Sequence, residues 1–415
     1  MSWRETTLGE ITDLKRGFDL PKSQRLQGDV PVYSSSGITG SNSTAAVEGP
    51  CVITGRYGTI GEVFFSGGPC WPLNTALYST EFNGNNPRFV YYLLQTIPWQ
   101  GYTTASAVPG VNRNHVNLCP VKIPDRATQD AIVEVLDSIV DKIALNNRLN
   151  DYLADLCETI AGKYCNDRNS CLRDICYQVT DHVDYGNANQ ETYVSTESLM
   201  QNKGGRQLAS SLPTTGKITR YSVGDTLISN IRPYFKKIWY APFEGTCSGD
   251  VIVFRANDPS NAPYLHACLR QDSFFDYVMQ GAKGTKMPRG DKKQMMEFKV
   301  ASSCSTKDLI LLDSAIKQRS DNDSETVKLQ ALRDTLLPKL MSGEIDVSKV
   351  DLTQLTNNHL SGCGSFCSVC CPSGLASEFH EWFREHFFWL RSPMQSRFGM
   401  GGSALKIPRK KNPAG

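Results

Sequence analysis

A chain of 415 residues with 44 Lys and Arg against 42 Asp and Glu has a formal charge of only +2. It is long enough for two or three domains with full cores, and overall charge announces no nucleic-acid role, so any basic surface must be local. The opening MSWRETTLGE lacks the apolar centre of a signal peptide, and no apolar run approaches the roughly 20 residues of a membrane helix, which predicts a soluble, cytoplasmic protein.

Taken in chain order, the first region mixes Gly, Pro, Asn, Thr and aromatics. Short apolar runs bounded by turn signals predict strands at Val30 to Tyr33, Cys51 to Thr54 and Glu62 to Phe65. The glycines of CVITGRYGTIGEVFF lie at Gly55, Gly58 and Gly61 around Arg56 and Tyr57. A phosphate loop joins a strand to a helix, but an aromatic, β-branched stretch follows here. The stretch therefore predicts a hairpin whose glycines permit tight turns and a close backbone approach. By itself it leaves open whether Arg56 meets a partner or only solvent. A short helix, RFVYYLLQ, comes next. A long one follows from about Thr128 to Lys163, on the order of 50 Å at ~1.5 Å per residue. Its apolar residues are Ile132, Leu136, Ile139 and Ile143, then Leu153, Leu156 and Ile160, broken by Asn146, Asn147 and Asn150.

The second region repeats the plan. Strands are expected at Thr226 to Ser229, Lys237 to Tyr240 and Val251 to Arg255, followed by the short helix PYLHACLR. A second long helix runs from about Thr306 to Met341, crossed near its end by Pro338. Its apolar residues are Leu309, Leu312 and Ile316, then Leu329, Leu332 and Leu336, with Asn322, Asp323 and Thr326 at the equivalent break. VLDSIVDKI recurs as LLDSAIKQR, and the register that puts Leu136 on Leu312 also puts Leu153, Leu156 and Ile160 on Leu329, Leu332 and Leu336. The chain thus reads as an internal repeat. The two helices either pack each on its own region or pair as a stalk with a polar seam; their length and matched breaks favour the stalk.

From about Asn357 the composition changes. Cys363, Cys367, Cys370 and Cys371 lie close together, with His380 and His386 after them. Sulfur and imidazole at short spacing can hold zinc, but the usual set is two separated pairs. No metal is expected, and the segment reads as an accessory extension or foreign sequence. The other cysteines are scattered singly, among them Cys51, Cys70, Cys119, Cys247, Cys268 and Cys304. That pattern predicts buried thiols rather than a disulfide framework.

VPVYSSSGITG, CVITGRYGTIGEVFF, CWPLNTALYS, VPGVNRNHVNLCPVKIP and LDSIVDKIALNNRLNDYL together resemble the first half of the specificity subunits of type I restriction–modification enzymes. LQALRDTLLPKLMSGEID resembles their closing helix. The likeness covers roughly residues 1 to 350. It implies an α+β protein in which two α/β target recognition domains are separated by two long antiparallel helices. Those helices would form a coiled-coil stalk, in a pseudo-twofold repeat. The implied boundaries are 1–125 and 166–303 for the recognition domains, 126–165 and 304–347 for the helices, and 348–415 for the extension. Leu136, Ile139, Ile143, Leu153, Leu312, Ile316, Leu332 and Leu336 would line the stalk. The implied partners are double-stranded DNA, two methyltransferase subunits, and restriction endonuclease/translocase subunits. No cofactor is implied.

From Arg4 to Asp125 there are nine Lys and Arg against nine Asp and Glu, and from Arg168 to Ser302 there are 17 against 13. Lys and Arg neutralise backbone phosphates, whereas base edges are read by Arg on guanine and by Asn or Gln on adenine. The candidates are Arg56 and Tyr57 with Asn112, Arg113, Asn114 and His115 in the first region. In the second they are Arg232, Lys236 and Lys237 in RPYFKK, with Lys283, Lys286 and Arg289 in KGTKMPRGDKK. A methyltransferase would need an Asn/Asp-Pro-Pro-aromatic motif, and neither IRPYF nor NNPRF has two prolines. Glu297 and Lys299, flanking Phe298 in a strand-like piece, are half a nuclease motif without an acidic partner. A non-catalytic recognition subunit is therefore expected. The alternatives are a DNA-cleaving enzyme and a two-headed scaffold that binds no DNA.

Overall fold

A computed structural model describes residues 3–103, 110–165 and 170–349. The chain divides into a unit of residues 1–350 and a unit of 351–415. The four clustered cysteines and two histidines of the C-terminal extension lie outside the described residues.

Two helices of equal length dominate the first unit. The first spans Arg126–Gly162 and the second Thr306–Ser342, each 37 residues. Both begin at a side-chain cap. Asp125 accepts from the Thr128 amide at 3.0 Å, and Ser305 accepts from the Asp308 amide at 3.1 Å, each satisfying one of the helix's orphan donors. The second ends at Gly343, whose φ of +77° admits glycine readily; a Cβ there would also lie 2.8 Å from the Trp3 ring.

The long helices lie against each other in opposite directions. Tyr164 donates to Asp308 at 2.5 Å, Asn322 to Asn150 at 2.8 Å and Asn146 to Glu325 at 2.8 Å, while Ile139 and Ile143 cluster with Leu329 and Leu336. Partner numbers fall on one helix as they rise on the other. The middle of the contact is polar and buried. Asn146, Asn150, Asn322 and Thr326 are all buried, and Asn150 also donates to Asp323 at 2.7 Å. Burial pushes the Asp323 carboxyl above its ordinary value, against the pull of Arg319 and the Asn150 bond. A slip of register would strand these amides without partners, which costs more than the network gains.

Leu312 and Ile316 sink into the core of the second region, and Leu153 packs on its margin. Leu136 is fully buried and Leu336 partly so. Leu332 departs from the expectation: it is 38% exposed and takes no place in the seam cluster. An antiparallel pair buries a narrow stripe, and the repeat that equates Leu332 with Leu156 takes no account of which side faces the partner.

Each region contains a four-stranded antiparallel sheet. In space, the first runs Lys15–Arg16, Ala76–Ser79, Cys51–Gly55, Val63–Ser66. The second runs Cys176–Gln178, Val251–Ala256, Thr226–Ser229, Ile238–Tyr240. Both read first, fourth, second, third in chain order. The central strands are buried on both faces, which explains their unbroken apolar runs. Each region also has a parallel pair beside its sheet, Val32 on Trp71 and Tyr193 on Thr246. The short helices are Pro87–Gln95, capped by Asn86 with Pro at its first position, and Ala262–Leu269. Arg88 and Tyr92 of the former both bond Asp137 on the first long helix, Tyr92 at 2.5 Å.

The regions close differently. In the first, Trp3–Thr7 pairs along its whole length with Pro120–Pro124. In the second, the expected strand around Phe298 is only a single bridge from Cys171 to Lys299, and Glu297 sits in a turn bonded to Arg173 at 2.6 Å. All ten described cysteines are free, and nine are buried. Among the described residues, no helix is long and apolar enough to cross a membrane, and no His, Cys, Asp and Glu group could hold a metal ion.

Candidate nucleic-acid interface

The hairpin of Cys51–Gly55 and Val63–Ser66 brings Arg56 and Tyr57 to its turn. There the backbone meets a segment far along the chain: Tyr57 bridges Gly110, and the Val111 amide donates to the Arg56 carbonyl at 2.9 Å. Gly110 is required by the approach, because a Cβ there would stand 2.3 Å from the Tyr57 ring. The Arg56 guanidinium lies 4.6 Å over the same ring, a cation–π contact. Directly after Gly110 comes the helix Arg113–Asn117, with Asn112 as its cap accepting from the Asn114 amide at 3.1 Å. Arg113, Asn114 and His115 are exposed, and Tyr57 is 39% exposed. The structure thus brings all six first-region candidates together. Asn112 is the exception in role, since its carbonyl oxygen is occupied as the cap.

The second region makes a corresponding joint. The strand Thr226–Ser229 leads into a turn where Ile231 bridges Arg289 and the Arg232 amide donates to the Pro288 carbonyl at 2.7 Å. Lys283 and Arg289 exchange both backbone bonds at 2.9 Å, closing a tip that carries Lys286 and Met287. The helix Lys292–Met295 follows, capped by Asp291. Arg232 has a φ of +52°, and its Nε is buried without a partner, as is the Asn230 Oδ1 nearby.

Charge is distributed otherwise than the sequence count suggests. Lys236 is paired with Asp272 at 2.8 Å, Lys283 with Asp291 at 3.4 Å and Arg289 with Asp250 at 3.1 Å. Lys237 donates to the Thr196 carbonyl, and burial lowers its pKa. Lys286 is exposed and has no ion pair among the described residues. Much of the apparent excess of cations is therefore spent internally, because each one's acidic partner is distant in sequence or across a turn.

Sequence reasoning missed two exposed apolar side chains at this joint, Tyr234 and Met287, each 47% exposed. Both stand inside the candidate motifs RPYFKK and KGTKMPRGDKK, beside the lysines. It also missed the supporting shell of Glu158, Lys203, Arg270 and Asp272. Arg270 is pulled down to about 10, chiefly by burial and then by the nearby Arg319. No local pattern marks Lys203.

Residues 1–155 match the family described as the type I restriction modification DNA specificity domain. The chain is similar to a specificity subunit of a type I restriction enzyme. It is 19% identical over 354 residues, 72% of this chain and 77% of the relative, to the type I restriction enzyme EcoDI specificity subunit of Escherichia coli. Its fold is similar to the crystal structure of the type I restriction–modification S subunit from M. genitalium. That match has a TM-score of 0.57 at 14% identity, covering 82% of this chain and 96% of the other. At that identity the second likeness is one of fold.

Proposed function

We propose that this chain is the DNA sequence-specificity subunit of a type I restriction–modification complex and reads a bipartite target. Each recognition region reads one half-site. The two long helices form a coiled-coil stalk relating the regions by a pseudo-twofold repeat. At ~1.5 Å per residue each helix is roughly 55 Å long, enough to span half-sites about one DNA turn, near 34 Å, apart. The subunit has no catalytic role of its own. It brings two methyltransferase subunits and the restriction endonuclease/translocase subunits to the target.

One observation carries this reading. In both regions a turn leaving the central buried strand, with its arginine, is bonded by backbone to the segment before a short capped helix, through Arg56 to Val111 and Arg232 to Pro288. The matched strand orders of the two sheets support the repeat, and the antiparallel side-chain pairs support the stalk. Exposed Arg113, Asn114 and His115 supply donors and acceptors for base edges. The unpartnered Nε of Arg232 is a donor that a phosphate or base acceptor could satisfy, and the unpartnered Oδ1 of Asn230 is an acceptor that a base amino group could satisfy.

The test is to co-express the chain with its methyltransferase subunit and map methylated bases across the host DNA. A split motif is expected only when both proteins are present, and exchanging residues 1–125 should change one half of it. A stable complex that marks no motif would refute the reading.

A further inference from the structure

Five described residues other than glycine have positive φ: Asn83, Asn202, Lys203, Arg232 and Lys236. Four of the five meet at one place. The Asn202 amide donates to the Phe235 carbonyl at 2.8 Å, and the Lys203 amide to the Lys236 carbonyl at 2.8 Å. These bonds clip the segment 200–206 onto the turn Pro233–Phe235, which is flanked by Arg232 and Lys236. Left-handed backbone at side-chain-bearing residues is strained and persists only where the surroundings over-determine it.

Lys203 supplies that determination. Its side chain is 10% exposed, and its Nζ lies 3.0 Å from each carboxylate oxygen of Glu158 on the first long helix. The same Nζ lies 2.9 Å from Asp272, which in turn holds Lys236 at 2.8 Å. Arg270, 6% exposed, donates to the Lys203 carbonyl at 3.2 Å and reaches Glu158 at 3.4 Å. A continuous series of ion pairs and backbone bonds thus runs from Glu158 through Lys203 to Lys236 and the turn, and from the Arg232 amide to Pro288 behind the Lys286 tip. Lys203 belongs to the connection 195–225, which is longer than the corresponding connection 35–50 of the first region.

We propose that Lys203 is a positioning residue for the second half-site: it fastens the Arg232 to Lys236 turn to the first long helix and so sets the angle at which that turn meets DNA. The proposal rests on the DNA-specificity reading above. It makes Lys203 specific to one half of the target, although it touches no base. The ammonium is nearly enclosed, so removing it leaves Glu158 and Asp272 without their common cation and releases the strained turn.

The experiment uses the full chain in complex with its methyltransferase subunit and reads the methylated motif across host DNA. The half-motif of the second region is the one that survives exchange of residues 1–125. Lys203→Met is expected to relax base discrimination in that half only, with the complex still assembled and the other half unchanged. Lys203→Arg, which keeps the charge, is expected to restore discrimination. Glu158→Gln removes the helix end of the same linkage and is expected to relax the same half, even if Lys203→Met fails to fold. Unchanged discrimination in both variants overturns the proposal. So does equal relaxation of both halves, or loss of folding in both variants, because the contact would then serve the whole fold. A wild-type complex that marks no split motif sinks the specificity reading itself, and this inference with it.

Discussion

In the first region the arginine-bearing turn is held by packing. Gly110 lies against the Tyr57 ring and Arg56 lies over its face. In the second, the corresponding turn is held by charge, with Lys203 and Asp272 drawing Lys236 and its neighbours toward Glu158. One backbone joint is thus stabilised by two different means. Packing is insensitive to salt and pH but intolerant of added volume, whereas ion pairs tolerate volume and respond to protonation. The two joints should therefore fail under different insults.

The largest effect is expected where the second region shares its core with the long helices. Leu312 is fully buried in that core, and Leu312→Ala should cost about 2–5 kcal/mol, read as a lowered denaturant midpoint. Leu332→Ala, a position that the repeat equates with the partly buried Leu156, should stay within about 0.5 kcal/mol because the side chain is exposed. Equal losses for the two would place Leu332 in the seam after all.

Next comes the packed joint. In Gly110→Ala the new methyl would stand 2.3 Å from Tyr57, so the ring must leave its place. We expect about 1–3 kcal/mol of destabilisation and loss of discrimination in the first half-motif, with the second retained. Retained discrimination in both halves would show that the Tyr57 contact does not set the first joint.

The smallest effects are in pH dependence, and they differ in sign. Bonds to Lys236 and Lys203 hold Asp272 below its ordinary value of 3.8. A depressed acid stabilises the fold above its unfolded value, and that contribution is lost as pH falls through the folded one. Asp323 is raised above 3.8 by burial in the helix seam, so it costs stability progressively as pH rises from 3.8 through its folded value. Asp272→Asn should flatten the acid-side loss of stability, and Asp323→Asn should flatten the loss on raising pH. Denaturant midpoints taken across the acid range check both, and curves superimposed on the wild type would contradict these environments.

Much of the framework was legible in the residues. The apolar runs at Cys51 and Thr226 announced buried strands because such strands need no alternation. The long helices were legible because apolar periodicity is a local property, although Pro338 lies inside the second: the expected ends, Thr128 to Lys163 and Thr306 to Met341, lie within two residues of the observed ones. The piece around Phe298 was not legible. Alternation of charge with apolar residues suggested a strand, yet pairing depends on a partner edge, and Cys171 offers only one bridge. The loops carrying Arg113 and Lys286 could be picked out by composition, but nothing local told that Asn112 is used as a cap or that Arg289 is engaged by Asp250.

By itself, then, the sequence determined where most of the chain would be helical or extended, and which loops concentrate Arg, Asn and Lys. These follow from periodicity, caps and turn residues, which act over a few positions. The tertiary structure alone decided which cations remain available, which arginine lies over which ring, and how each turn is held. Those outcomes depend on partners as distant as Glu158 and Lys203, or Tyr57 and Gly110, and only the folded chain sets the distance across which their charges and volumes act.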